Sequence, residues 1–208
     1  GRFARGEVRL LLGTQMIAKG LDFPNVQLVG VLSADTALWQ PDFRASERTF
    51  QLVSQEAGRA GRGVKPGRVI VQTYSPDSSA IQLAAKHDFE KFAAEELEVR
   101  RVAGLPPITR MARIVVRDEN VEKAERAAAE LVRGLTRGME TLGIAGKVKV
   151  EGPSPCAVAR ISGHYRYEVL VTARTRAVIQ ELLGWLRGEG KLSSDEHTAV
   201  DVDPVGLM

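Results

Sequence analysis

The sequence predicts an α/β protein in two parts: a partial parallel sheet with helices, then a smaller α+β sandwich. Two observations carry this. Early in the chain, three apolar runs (Val8 to Leu12, Val26 to Leu32, Val69 to Tyr74) have the β-branched, leucine-rich character of strands buried on both faces of a parallel sheet. Over residues 108–208, strand-like and helix-like segments follow one another as βαβ–βαβ, the order of a split βαβ or ferredoxin-like fold.

Each element has its reason. Ser46 to Ala60 lies between the second and third apolar runs and reads as a helix, followed by glycine- and proline-rich punctuation from Gly61 to Gly67. Three strands make a thin sheet, as in a lobe cut short at its amino end. From about Ser78 the period becomes helical, with Ile81, Ala85, Phe89, Phe92, Ala93 and Leu97 on one face. Leu105-Pro106-Pro107 is expected to end that helix, because proline lacks an amide donor and restricts the residue before it. A domain boundary is expected there. Beyond it come a strand (Met111 to Arg117), a helix (Val121 to Leu142) and a strand (Lys147 to Glu151). After a loop at Gly152-Pro153-Ser154-Pro155 follow a strand (Tyr165 to Thr172), a helix (Thr175 to Gly188) and a strand (Thr198 to Asp203). The expected division is residues 1–77, a connecting helix and proline-rich hinge at 78–107, and a carboxy-terminal domain at 108–208.

Composition narrows the class. The 208 residues are 44% hydrophobic and 26% charged, ordinary for a globular chain with enough apolar mass for a core in each part. No apolar run approaches the roughly 18 residues of a membrane span, so no membrane partner is expected. Gly1 to Glu7 has no initiator Met and leads straight into an apolar stretch, so the chain is expected to be a fragment beginning inside a domain. Cys156 is the only cysteine, which excludes a disulfide framework and a cysteine-ligated zinc site. His87, His164 and His197 are far apart, and no metal site is expected. A reducing cytoplasm is the simple reading. A net charge of +3 suits a nucleic-acid partner without requiring one.

Two segments carry chemistry. In Gln55-Glu56-Ala57-Gly58-Arg59-Ala60-Gly61-Arg62, two arginines three residues apart each follow a glycine. Glycine lets backbone approach a ligand, and guanidinium forks match phosphate oxygens. A positioned arginine neutralises charge in a phosphoryl-transfer transition state, worth roughly 10³ to 10⁵ in rate. A basic glycine-rich corner would carry the same residues. The second segment, Gly13 to Pro24, follows the carboxyl end of a predicted strand, where α/β proteins place ligand sites. There Thr14 and Gln15 offer a hydroxyl and an amide to a sugar–phosphate backbone, and Lys19 a point charge. Gly20 and Asp22 are placed to link the nucleotide site to that backbone. A strand running into an amphipathic turn is the plain alternative.

The order of these segments, about thirty residues apart across one strand, resembles motifs V and VI of superfamily-two helicases. The likeness is narrower to one family, the replication-restart helicases PriA (primosomal protein N′). It rests on Gly13 to Val26, on Asp42-Phe43-Arg44-Ala45-Ser46-Glu47-Arg48 with Gln55 and Gly58 to Arg62, on Glu98 to Pro107, and on the closing Val200-Asp201-Val202-Asp203-Pro204. The resemblance implies that residues 1–77 are the carboxy-terminal half of the second RecA-like helicase lobe. It implies Arg62 as the arginine finger, Arg59 as its γ-phosphate partner, and Gln55 as the group holding the motif near the nucleotide. Gly20 and Asp22 would lie at the interface between lobes, and Thr14 on the tracked strand. It also implies an ATP- and Mg²⁺-dependent DNA helicase of 3′ to 5′ polarity that restarts stalled forks and assembles the primosome. The implied partners are branched and single-stranded DNA, the tail of single-stranded DNA-binding protein, and other primosome proteins. Zinc would be bound by cysteines absent from this chain. Glu56 departs from the family pattern, standing where a neutral residue is expected.

The chain lacks the phosphate loop G-x-x-x-x-G-K-[ST] that such a motor requires. Gly188-Glu189-Gly190-Lys191 mimics it, but Leu192 follows the lysine and the segment closes a helix instead of opening one. Asp195-Glu196-His197 mimics an acidic box without the strand that should precede it. Alone, the chain is therefore expected not to hydrolyse ATP. Farther on, His164-Tyr165-Arg166-Tyr167-Glu168 alternates aromatic and polar residues, either a half-buried strand or a stacking platform with Arg160 and Arg166 as DNA or protein contacts. Val99-Arg100-Arg101 reads as a solvated helix end. A non-catalytic binding module with vestigial helicase motifs is the alternative in another class, and an RNA helicase a further one.

Overall fold

The computed structural model describes residues 2–14, 26–58, 60 and 67–207. The chain forms two compact units, Gly1–Gln40 with Arg44–Glu96, and Pro41–Phe43 with Leu97–Met208.

The first unit holds a two-stranded parallel sheet, β1 (Leu28–Val31) beside β2 (Arg68–Val71), in the register Leu28 to Arg68 through Val31 to Val71. A short helix, α1 (Asp35–Leu38), follows β1, and α2 (Ala45–Ala57) crosses over to β2. Helices α3 (Ser79–Ala85) and α4 (Phe89–Ala103) complete it, the carboxy-terminal half of α4 belonging to the second unit. Val31, Phe50, Val53, Ile81, Leu83 and Phe92 make the core, with the rings of Phe50 and Phe92 stacked at 4.2 Å between centroids. Each such buried side chain contributes on the order of 1.5–3 kcal/mol from apolar surface removed from water.

Three expectations are corrected here. Val8 to Leu12 forms no strand, and Leu10 and Leu12 are 71% and 74% exposed. Apolar character alone does not make a strand; a ladder partner is needed, and none pairs with this run among the described residues. The sheet is not buried on both faces either, because the helices cover one side and leave Leu28 and Ile70 exposed on the other. The long helix from Ser78 is two helices. His87 takes a left-handed φ of 54°, and the Asp88 carboxylate accepts the Lys91 amide at 3.1 Å, capping α4 afresh.

What stops α4 is Gly104, not the prolines. Its φ of 65° lets the Leu105 amide reach back to the Arg100 carbonyl at 2.9 Å and the Gly104 amide to the Arg101 carbonyl at 3.4 Å. This is the 6→1 and 5→2 pattern that satisfies a helix's last carbonyls.

The second unit is the predicted βαβ–βαβ. Strands β3 (Arg110–Asp118), β4 (Val148–Ile161), β5 (His164–Ala173) and β6 (Thr198–Val202) form an antiparallel sheet in the order β4-β5-β3-β6. Helices α5 (Val121–Thr141) and α6 (Arg176–Gly188) make the two crossovers. Asn120 caps α5, its side-chain oxygen accepting the Lys123 amide at 2.9 Å. On one face of the sheet, Ala112, Ile114 and Val116 of β3 and Val169, Val171 and Ala173 of β5 meet Leu131 and Leu135 of α5 and Ile179, Leu182 and Leu186 of α6. The 2- and 3.6-residue periods read from the sequence are what bring these sets together. Gly138 lets α5 approach α6 closely: a Cβ there would lie 2.7 Å from the Trp185 ring.

One boundary differs markedly. Gly152-Pro153-Ser154-Pro155 is not a loop between strands; it lies within a fourteen-residue β4 whose register shifts between Glu151 and Ser154 and again before Arg160. The turn comes at Ser162-Gly163, where φ values of 50° and 86° suit a two-residue hairpin.

Candidate functional site

In the first unit the chemistry gathers at the carboxyl ends of the parallel strands. Past β1 the chain turns so that the Ala34 amide bonds the Gln72 carbonyl at 3.1 Å, which sets Asp35 over the end of β2. The Asp35 side chain is buried and accepts the Thr73 hydroxyl at 2.8 Å and the Tyr74 amide at 2.9 Å. The Thr73 oxygen in turn accepts the Ser75 amide at 2.9 Å. Burial alone would raise the Asp35 carboxyl, but the donors from Tyr74, Thr73 and Ser75 outweigh it and hold its pKa below the ordinary value. This carboxylate straps the two strand ends together. Sequence reasoning missed it; the one signal was an acid directly after an apolar strand.

Of the predicted motor residues, two are described. Thr14 is exposed outside any helix or strand, and Gln55 is exposed on the last turns of α2, beside a half-buried Glu56. No hydrogen bond joins Thr14 to Gln55 among the described residues. Gln15, Lys19, Gly20, Asp22, Arg59 and Arg62 lie outside the described residues. Helix α2, which leads into the Gly58 to Arg62 segment, is well anchored. Phe50 and Val53 sit in the core, and the Thr49 hydroxyl donates to the Ala45 carbonyl at 2.9 Å.

The Asp42-Phe43-Arg44 segment proves architectural. The Arg44 guanidinium reaches Glu47 at 3.0 Å, in the first turn of α2. Asp42 accepts the Leu207 amide at 2.9 Å, tying residues far apart in sequence within the second unit. The Phe43 ring lies under the Arg100 guanidinium, 5.5 Å from centroid. Arg100 is therefore not part of a solvated helix end: it is 6% exposed and also donates to the Pro106 carbonyl at 3.3 Å. Arg101 is exposed and forks onto Glu98.

In the second unit, Arg160 is exposed and stacks over the Tyr165 ring at 4.9 Å, while Arg166 is half buried and donates to the Val158 carbonyl at 3.2 Å. Both serve the β4–β5 hairpin. Tyr167 packs against the core, as a half-buried strand requires. Glu168 points away from that core to Arg113, 2.6 Å away, in a pair whose side chains are 13% and 7% exposed. Cys156 lies buried beside them, its thiol pushed up by burial and by Glu168 against the pull of Arg166 and Arg113. This buried ion pair was also missed; its sign in the sequence was an arginine inside an apolar strand.

No group of three or more His, Cys, Asp or Glu side chains among the described residues is arranged to hold a metal ion. No helix among them is long and apolar enough to cross a membrane.

Two family models match the chain: the helicase conserved carboxy-terminal domain over residues 1–64, and the primosomal protein N carboxy-terminal domain over residues 101–205. The replication restart protein PriA of Bacillus subtilis is 43% identical over an alignment covering 99% of this chain and 25% of that protein. That of Treponema pallidum is 42% identical over 100% and 31%, and that of Borreliella burgdorferi 31% identical over 100% and 31%. The chain spans between a quarter and a third of the length of these relatives.

Proposed function

This chain belongs to the primosomal protein N (PriA) family of replication restart proteins, and on that premise we propose that it supplies the arginine-bearing part of an ATP-driven DNA helicase. What supports the reading is the sequence from Gln55 to Arg62, two arginines each behind a glycine, which begins on the core-anchored α2 and falls within the stretch matched to helicase carboxy-terminal domains.

In this reading Arg62 donates to the γ-phosphoryl group as charge spreads over its oxygens, and Arg59 holds the same phosphate in the ground state. Gln55, exposed at the end of α2, fixes the segment against the nucleotide. Gly20 and Asp22 face the other lobe, and Thr14, Gln15 and Lys19 touch the tracked strand. Any Mg²⁺ accompanies the nucleotide and neutralises its phosphates. The phosphate loop and the zinc site belong to parts of the protein outside this chain. The whole protein acts in the cytoplasm on branched and single-stranded DNA at stalled forks, moving 3′ to 5′, with primosome proteins and the tail of single-stranded DNA-binding protein as partners. The direct test is strand separation and ATP turnover by the full-length protein on a forked DNA. DNA-stimulated turnover with unwinding is expected; fork binding without any turnover would reduce the chain to a binding module.

A further inference from the structure

The chain leaves its first unit for three residues and then returns. Up to Gln40 it belongs to the first unit, Pro41–Phe43 belongs to the second, and Arg44 is back in the first. The excursion has no slack at either end. Before it, the Trp39 amide bonds the Asp35 carbonyl at 2.9 Å, closing α1. After it, the first backbone bond of α2 runs from the Arg48 amide to the Arg44 carbonyl at 2.9 Å, one residue past Phe43.

Within the second unit these residues lie outside any helix or strand and are held by side chains. The buried Asp42 carboxylate accepts the Leu207 amide at 2.9 Å. The Phe43 ring lies under the buried Arg100 guanidinium, which donates in turn to the Pro106 carbonyl. A charge-assisted bond and a desolvated cation over a ring are among the stronger contacts that two consecutive residues can make. A surface linker needs neither, so they give the segment a fixed end point. From there α2 runs thirteen residues, about 20 Å at the helical rise, to Ala57. The Gly58 to Arg62 segment begins at its end. A hydrogen-bonded helix is stiff along its axis, so a displacement of its start reaches its far end. Phe50 and Val53, packed in the core between the two ends, are where such a tilt would turn.

We propose that Pro41–Phe43 is a coupling strap: a shift of the carboxy-terminal unit when the protein engages DNA is passed along α2 to the arginine segment and sets the rate of ATP turnover. This rests on the reading of that segment as the motor's arginines. Asp42 and Phe43 are positioning residues, acting through α2 and touching neither nucleotide nor DNA.

The test is ATP turnover by the full-length protein, without DNA and across a titration of forked DNA, for the parent, D42A, F43L and D42N. F43L keeps the bulk and removes the ring face, so it decides the matter where D42A does not fold. D42N keeps a side-chain oxygen for the Leu207 amide. In D42A and F43L the DNA-saturated rate is expected to fall about fivefold or more, the scale of ordinary coupling between sites. The DNA-free rate and the DNA concentration at half-stimulation should stay at the parent's values, and D42N should keep most of the saturated rate. Equal loss of turnover with and without DNA in a folded F43L would overturn the proposal, because the segment would then only support the fold. So would saturated turnover at the parent's rate in both D42A and F43L, a result that leaves the motor reading standing. A parent whose turnover DNA does not stimulate would remove both.

Discussion

At the residue scale the structure rests on charged groups that have left water and found partners. Asp35 is the clearest. Its pKa in the folded chain lies below the ordinary value that it regains on unfolding, so it stabilises the fold fully above that ordinary value. The contribution is lost as pH falls through the folded value. Melting temperature followed from pH 7 to pH 3 should therefore decline, and Asp35→Asn should lie lower at pH 7 and decline less steeply. Glu98, held down by Arg101, and Asp195, held down by the Ser193 hydroxyl, shift the same way and leave some slope in the variant. A variant with the parent's slope would remove Asp35 from this role. The buried pair of Arg113 and Glu168 makes the second case. Arg113→Met should cost about 3–5 kcal/mol in denaturant unfolding, because it strands a carboxylate away from water. R113M/E168L should recover most of that, and additive losses would count against the pairing. Neither role could be read from the chain, because each needs a partner whose position only folding determines.

At the element scale the second unit was readable because its periods switch cleanly. Met111 to Arg117 packs alternate residues inward, and α5 carries Ala124, Ala128, Leu131 and Leu135 on one stripe. The order βαβ–βαβ then leaves few ways to build a sheet. The length of β4 was hidden by Pro153 and Pro155, which resemble strand breakers. They are tolerated because β4 is an edge strand, where a missing amide donor leaves no ladder bond unmade. Val8 to Leu12 misled in the opposite direction, since pattern describes one segment and a strand needs two. Packing at this scale makes its own prediction. Gly138→Ala should push α5 from α6 and cost about 1–3 kcal/mol, because the added carbon would lie 2.8 Å from Leu182 as well as 2.7 Å from Trp185. An equally stable variant in urea titration would show that the two helices yield more readily than their contacts suggest.

At the scale of the whole molecule, the chain divides into a unit with a parallel sheet and a unit with an antiparallel one, matched respectively to helicase and primosomal protein N domains. Its 208 residues contain no G-x-x-x-x-G-K-[ST]. The isolated chain should accordingly hydrolyse no ATP with or without DNA, and a phosphate-release assay showing DNA-stimulated turnover would contradict this. The motor segment is legible only as a sequence pattern, two arginines behind two glycines, whereas the Asp35 strap across the strand ends has no such pattern to announce it. The central claim is that this family member's motor takes its transition-state arginine from here. The measurement closest to it is DNA-saturated ATP turnover by the full-length protein carrying Arg62→Ala, with DNA affinity determined alongside. The account predicts a fall of about 10³-fold or more in turnover with affinity nearly intact; turnover at the parent's rate would contradict it.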